Sequence, residues 1–255
     1  ILCGGKGTRL SEMTTKIPKP MVEVGGKPIL WHIMKIYSGF GYYKFIIALG
    51  YKGEKIKQYF FNYKVTGSDI VINLNSERNI TYLNESEEKN WDITLVDTGE
   101  NSLKGSRIKK LEKYVNNDVF HLTYGDGVSD VDLNALAKYH NSHECIGTVT
   151  AVRPPSRFGE LKISHDNTVH ALEEKPQMGN GLINGGFFVF SNKIFTYLNE
   201  DINCDFEFGP LQKLASEGQL KAFHHKGFWQ CMDNVRERDY LDKQVRSGKA
   251  KWIKN

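Results

Sequence analysis

The chain has 255 residues, 40% hydrophobic and 25% charged, a size and balance at which one α/β domain buries a large core without disulfides or a structural metal. Its net charge of +4 comes from 34 basic and 30 acidic residues spread along the sequence, with no basic stripe of the kind that tracks a nucleic-acid backbone. No apolar run approaches the roughly 20 residues of a membrane helix, and Cys3, Cys145, Cys204 and Cys231 form no Cys-x-x-Cys pair, so reduced thiols in a cytoplasmic protein are expected.

From the N-terminus, Ile1 and Leu2 run straight into a glycine loop, so the strand that normally precedes such a loop is expected to begin upstream; a charged secretory leader is absent from these first residues. Pro28 to Tyr37 predicts a helix with proline at its start and Ile29, Leu30, Ile33, Met34 and Tyr37 on one face. Phe45 to Leu49 is a short β-branched and aromatic run that predicts a strand buried on both faces. Ser68 to Leu74 and Ile80 to Leu83 predict a hairpin turning near Ser76 to Asn79, and the charged stretch Asn84 to Asn90 predicts a solvated loop. Further strands are predicted at Ile93 to Val96, Val119 to Thr123, Ile146 to Val152 and Gly186 to Phe190. Helices are predicted at Asp132 to His140, with Asp130 and Asp132 as cap candidates, and at Val235 to Val245. Gly159 to Ser164 and Thr168 to Glu173 predict a second hairpin. Strands alternating with helices predict a doubly wound, mostly parallel α/β sheet, one domain over 1–255 with an inserted hairpin at about 66–90.

The chemistry concentrates in a few places. Gly4, Gly5 and Gly7 bring backbone N–H groups close to anionic oxygens, while Thr8, Arg9 and Lys19 add donors and positive charge, a combination suited to a triphosphate. The loop is neither a Walker A sequence nor a Gly-x-Gly-x-x-Gly dinucleotide loop. Asp126 follows the strand Val119 to Thr123, at the carboxyl edge where open α/β sheets bind ligands, and a carboxylate there can hold Mg²⁺; the alternative is a turn residue. For Asp233 the alternative is the N-cap of the last helix, a role Asn234 fills equally well. Arg107 either reaches a triphosphate or shares the solvated face of a short helix with Lys109 and Lys110. His224 and His225, adjacent in a strand, point to opposite faces and do not share one ion. Trp31, Phe45, Phe60 and Phe187 are packing residues.

Gly4-Gly5-Lys6-Gly7-Thr8-Arg9-Leu10 and Pro18-Lys19-Pro20-Met21 resemble the signature of the sugar-phosphate nucleotidylyltransferases, whose core is Rossmann-like. The resemblance continues, in the family's order, through Val96-Asp97-Thr98-Gly99, Tyr124-Gly125-Asp126-Gly127-Val128, Phe158-Gly159, Glu174-Lys175-Pro176, Asn184-Gly185-Gly186 and Gly227-Phe228-Trp229-Gln230-Cys231-Met232-Asp233. Within the family, Thr123 to Asp130, Ile29 to Met34 and Gly227 to Gln230 are most similar to the members that transfer a cytidylyl group from CTP to glucose 1-phosphate. The resemblance implies nucleotide contacts from Leu2, Cys3, Gly4, Gly5, Gly7, Thr8, Arg9, Lys19, Thr98, Gly99, Arg107 and Gly125. It implies sugar-phosphate contacts from Gly159, Glu174, Lys175 and Asn184, within a region at about 153–190, and Mg²⁺ on Asp126 and Asp233. Arg9, Lys19, Asp126 and Asp233 are then the catalytic set, and a homo-oligomer, with a hexamer as one size, serving nucleotide-sugar and surface-polysaccharide synthesis is implied. A departure is Glu100-Asn101 after Thr98-Gly99, where the family often has a longer small-residue stretch, so the base contacts are the least defined. Transfer from dTTP or UTP is the first alternative, and a non-catalytic nucleotide-sugar-binding homologue, a glycosyltransferase and a Rossmann oxidoreductase rank below it.

Overall fold

The structure is a computed structural model that describes residues 1–75, 79–154, 160–164, 168–173 and 181–253. Three parallel strands lie in the order Leu2–Cys3, Lys44–Leu49, Asp92–Asp97. A second group lies in the order Leu220–His225, Gly147–Val152, Ile183–Ser191, Val119–Thr123. A parallel bridge from Leu2 to Tyr124 joins the two groups, so the glycine loop leaves the middle of a mixed sheet. The sheet is mostly parallel: Gly147–Val152 and Leu220–His225 pair in parallel, and Ile183–Ser191 runs against both of its neighbours.

Side chains alternate across each strand, and the core divides accordingly. Phe45, Ile47, Leu49, Phe187 and Val189 face one cluster, which takes Ile29, Leu30, Ile33, Met34 and Tyr37 from the helix Ile29–Ser38 and Leu133 and Leu136 from the helix Leu133–Asn141. Ala48, Val96, Phe188 and Phe190 face the other, against Ile108, Leu111, Ile194 and Leu214. Burial on both faces explains the uninterrupted apolar runs of these strands.

The terminating residues follow local chemistry with some corrections. Pro28 is the N-cap residue of its helix, not the first helical position. Asp132 caps the helix Leu133–Asn141 by accepting from Ala135 N at 2.9 Å, whereas Asp130 instead faces His225 Nε2 at 3.0 Å. Asn234 caps the last helix, Val235–Arg246, accepting from Glu237 N at 3.0 Å, which leaves Asp233 to point elsewhere. The hairpin forms from Ile70–Asn73 and Asn79–Tyr82, with Val71, Ile72, Leu74, Ile80 and Leu83 all exposed rather than folded over the chain's own sheet. The charged stretch after it is docked, not simply solvated: Lys35 reaches Glu87 at 2.8 Å and Glu88 at 3.3 Å. Glu160–Ile163 and Val169–Glu173 form the second antiparallel pair.

Candidate active site

The glycine loop opens directly from Leu2–Cys3 at the carboxyl edge of the parallel strands, where helical dipoles and unpaired backbone groups favour ligands. Gly7 adopts φ 64°, a left-handed conformation in which a side chain is strained, and its carbonyl accepts from Leu10 N at 2.9 Å and Thr14 Oγ1 at 3.1 Å. The turn sets Thr8–Leu10 as a short helical turn beside a second one, Lys19–Met21, opened by the extended Pro18. Gly125 is required for a different reason: a β-carbon there would lie 2.6 Å from Leu2 O and 2.9 Å from Cys3 Sγ, so only glycine lets the Asp126 turn rest against the first strand.

These segments enclose a cavity of about 520 Å³. Of the residues singled out in the sequence, Leu2, Cys3, Gly4, Gly5, Gly7, Thr8, Arg9, Lys19, Arg107, Gly125, Asp126, Asn184 and Asp233 line it. Gly159, Glu174 and Lys175 lie outside the described residues. Thr98 and Gly99 stand behind the wall instead of on it.

At the cavity floor one ammonium joins two carboxylates from opposite ends of the chain. Lys19 Nζ donates to Asp126 Oδ2 and to Asp233 Oδ1, each at 2.7 Å, and Arg9 Nη1 donates to Asp233 Oδ2 at 2.6 Å. Burial works against the charged form of Lys19, but attraction to Asp126 and hydrogen bonds to both carboxylates outweigh it and raise its pKa. Burial likewise opposes ionisation of Asp233, and Lys19, followed by Arg9, reverses the balance and holds its pKa below the usual value. The donor set suits a divalent cation: two hard carboxylates converge on one point, and Asp126 keeps 30% of its side chain open to the cavity. Cys231 Sγ sits 3.7 Å from Asp233 Oδ2, but burial and then Asp233 push its thiol up to about 12, so it is a protonated neighbour at neutral pH.

Arg107 is not on a solvated helix face, one of the two places read for it in the sequence. It is 4% exposed, and its guanidinium donates to Leu49 O at 3.0 Å, Thr98 Oγ1 at 2.8 Å, Gly99 O at 2.7 Å, and Gly4 O and Glu100 O at 2.9 Å. With its terminal nitrogens taken by protein acceptors, Arg107 fastens the 98–100 loop to the glycine loop rather than offering a free charge to a triphosphate. Gly4 must be glycine for this, because a β-carbon would fall 2.2 Å from the guanidinium carbon.

Asn184 reaches the cavity through a bulge. The pairing register shifts between Val149 and Ala151, with Gly186 at φ 77°, and the kink carries Asn184 inward. Trp229 Nε1 donates to Gly185 O at 2.7 Å and fixes the bulge from the opposite side. Lys104, Tyr124 and Trp229 also line the cavity; Tyr124 and Trp229 lay within motifs already noted, but Lys104 follows no motif that marks it.

Comparison with known proteins agrees with this geometry. A profile described as nucleotidyl transferase matches residues 1–233. The chain belongs to the nucleotidyl transferase family. It is 47% identical over 253 residues to the glucose-1-phosphate cytidylyltransferase of Salmonella typhimurium, covering 99% of this chain and 97% of that protein. It is 32% identical over 195 residues to the D-glycero-alpha-D-manno-heptose 1-phosphate guanylyltransferase of Campylobacter jejuni, covering 76% of each. Among solved structures, HddC from Yersinia pseudotuberculosis matches with a TM-score of 0.69 at 26% identity, over 96% of this chain and 97% of that one. The motif resemblance, the Rossmann-like fold and the enzyme class read from the sequence therefore hold. Members of this family generally use a divalent metal. No helix among the described residues is long and apolar enough to cross a membrane.

Proposed function

We propose that the protein transfers a cytidylyl group from CTP to α-D-glucose 1-phosphate, giving CDP-glucose and pyrophosphate, within one catalytic domain over 1–255. The observation that carries the reaction type is the Lys19 ammonium between Asp126 and Asp233 on the floor of a cavity walled by the glycine loop. The identity of base and sugar rests on the near full-length similarity to the Salmonella cytidylyltransferase.

An oxygen of the sugar phosphate attacks the α-phosphorus of the triphosphate; the new P–O bond forms as the bond to the β-phosphate bridge breaks, and pyrophosphate leaves with that oxygen. The nucleophile is already an anion at neutral pH, so no activated serine, cysteine or histidine is needed. The demand is to bring two anions together in line. Arg9 and Lys19 supply positive charge at the glycine loop, whose N–H groups receive phosphate oxygens. Asp126 and Asp233 are the residues that would hold Mg²⁺, which when bound neutralises phosphate charge. Asn184, with Glu174 and the backbone of Gly159, is assigned to sugar hydroxyls, and Lys175 to the sugar phosphate. Thr98, Gly99 and Arg107 shape the base end.

In-line displacement predicts inversion at a chirally labelled α-phosphorus in CDP-glucose made by the purified protein. Retention would require a covalent nucleotidyl-enzyme and overturn the mechanism. The assembly is a homo-oligomer, up to a hexamer, supported by hairpin residues such as Leu74 and Leu83, which are 82% and 64% exposed. A monomeric sedimentation mass at micromolar concentration would contradict that. A cytoplasmic place and a role in surface-polysaccharide synthesis complete the reading.

A further inference from the structure

A polar cluster that adds Lys104 and Glu207, outside every motif of the sequence, to Tyr124 and Asn184 joins the two sides of the cavity. The Tyr124 hydroxyl donates to Glu207 Oε1 at 2.6 Å, and Lys104 Nζ forms an ion pair with the same oxygen. The Tyr124 hydroxyl in turn accepts from Asn184 Nδ2 at 3.1 Å, and Asn184 Oδ1 accepts from Gly186 N at 2.8 Å. Lys104 belongs to the helix Lys104–Lys110 on the nucleotide side, and Asn184 to the bulge on the sugar side. Glu207 is the residue that touches both Lys104 and Tyr124.

The segment that carries Glu207 is built to stay in place. Asp205 Oδ1 accepts from Glu207 N at 2.9 Å and from Phe208 N at 3.2 Å, and Phe206 is fully buried between them. Behind it, Gly105 packs so closely on Cys204 that a β-carbon would lie 2.6 Å from Sγ, and Ser106 Oγ donates to Glu200 O at 3.1 Å. A half-buried carboxylate on so fixed a turn contributes to stability only modestly, because its desolvation offsets the gain from its partners. Its other oxygen, Oε2, is fully buried and meets no donor within hydrogen-bond geometry among the described residues, with the Asp205 carboxyl as a neighbour of Glu207, an arrangement that packing alone gives no reason to keep.

What the carboxylate does is set polarity. An ionised carboxylate only accepts, so the Tyr124 hydroxyl must donate to it, and the phenolic oxygen is left to accept. The side-chain amide of Asn184 must then present Nδ2 to Tyr124 and Oδ1 to Gly186 N–H. With the amide fixed this way, one Nδ2 hydrogen and one Oδ1 lone pair remain on a side chain that lines the cavity. With a neutral donor at position 207 the tyrosine proton could turn toward Asn184, so that two donors meet there and the amide, still held at Oδ1 by Gly186 N–H, loses its second anchor.

We propose that Glu207 is a positioning residue that acts through Tyr124 to orient Asn184 toward the sugar phosphate. The inference rests on the cytidylyl-transfer reading for its substrate, but the relay itself does not. Steady-state kinetics with Glu207→Gln should show the KM for glucose 1-phosphate raised about tenfold and the KM for CTP changed less than twofold. Tyr124→Phe should behave alike, and the double variant should be no worse than either single one, because both break one chain of contacts. Glu207→Asp, which keeps an acceptor-only group, should recover part of the loss.

A second readout needs no turnover. In ¹⁵N-labelled protein the Asn184 side-chain amide signal, identified by its loss in Asn184→Asp, should shift in both Glu207→Gln and Tyr124→Phe. An unmoved signal overturns the relay, and so do additive kinetic effects or a parallel rise of both KM values. If the wild-type protein turns over no sugar phosphate while the signal shifts as expected, the substrate reading fails and the relay stands.

Discussion

Replacing Arg107 with methionine separates its fastening of the 98–100 loop from a direct contact with the triphosphate. The substitution keeps most of the side-chain volume and removes every donor. Leu49 O and Thr98 Oγ1 retain each other, since Thr98 donates to Leu49 O at 2.6 Å, and Gly4 O keeps Tyr51 N at 3.2 Å. Gly99 O and Glu100 O lose charge-assisted bonds of 2.7 and 2.9 Å. Each such bond is worth about 1.5–3 kcal/mol, and water can reach both exposed residues, so a net loss of about 2–4 kcal/mol is expected. Burial of Arg107 lowers its pKa, which shows the desolvation already set against those bonds and favours the lower half of that range. With a urea slope of about 2–3 kcal/mol/M, the unfolding midpoint should fall by about 1 M. The KM for CTP should rise as the 98–100 loop loosens, while saturating CTP restores much of kcat. An unchanged midpoint with a lost kcat would mean that Arg107 meets the triphosphate directly, and would refute its role as the fastening of the loop.

Lys19→Met should lower kcat/KM by about 10²–10³, the scale on which a preorganised charge at a reacting phosphate acts, and a residual rate within tenfold of wild type would remove Lys19 from the catalytic set. The same variant defines a pH window. Asp233 has a depressed pKa, so its contribution is present above its usual 3.8 and is lost as pH falls through the lower folded value. Lys19 has a raised pKa, so its contribution is present below its usual 10.5 and is lost as pH rises through the higher folded value. The difference in urea midpoint between wild type and Lys19→Met should therefore be flat between those limits and shrink outside them; a midpoint difference that changes near pH 7 would point to another group. Gly125→Ala should cost about 1–3 kcal/mol and more than tenfold in kcat, because the added carbon meets Leu2 O and moves Asp126 away from Lys19; wild-type activity would show that the turn tolerates displacement.

Much of the fold was legible because it follows from local pattern. The helix face of Ile29, Leu30, Ile33, Met34 and Tyr37 is buried as its spacing requires, and Val119–Thr123 has the bounds its β-branched run suggests. Asp233 was ambiguous between cap and site until the Asn234 contact to Glu237 N left its carboxylate facing Lys19. The glycine loop stood out by its residue types and spacing, whereas Asp126 and Asp233 were marked as metal ligands by the family resemblance, their own surroundings leaving a turn and a cap open. Arg107 could not be placed, since its acceptors are carbonyls at Gly4, Leu49 and Gly99 that sequence pattern does not mark. Glu207 and Lys104 were invisible for a similar reason: their meaning arises from contact with Tyr124, which is far from Glu207 in the chain. Asp130 turned toward His225 because the strand Trp229–Cys231 and its neighbour Gly127–Ser129 bring these segments together, an arrangement decided by tertiary pairing rather than by helix-start chemistry.

The most direct measurement is pyrophosphate release by the purified protein with Mg²⁺ and glucose 1-phosphate, with CTP, UTP, dTTP, ATP and GTP supplied one at a time and the sugar phosphate omitted as control. Release that depends on the sugar phosphate and is largely confined to CTP is the expected result. Release of equal size without the sugar phosphate, or with every nucleotide except CTP, would contradict cytidylyl transfer to glucose 1-phosphate.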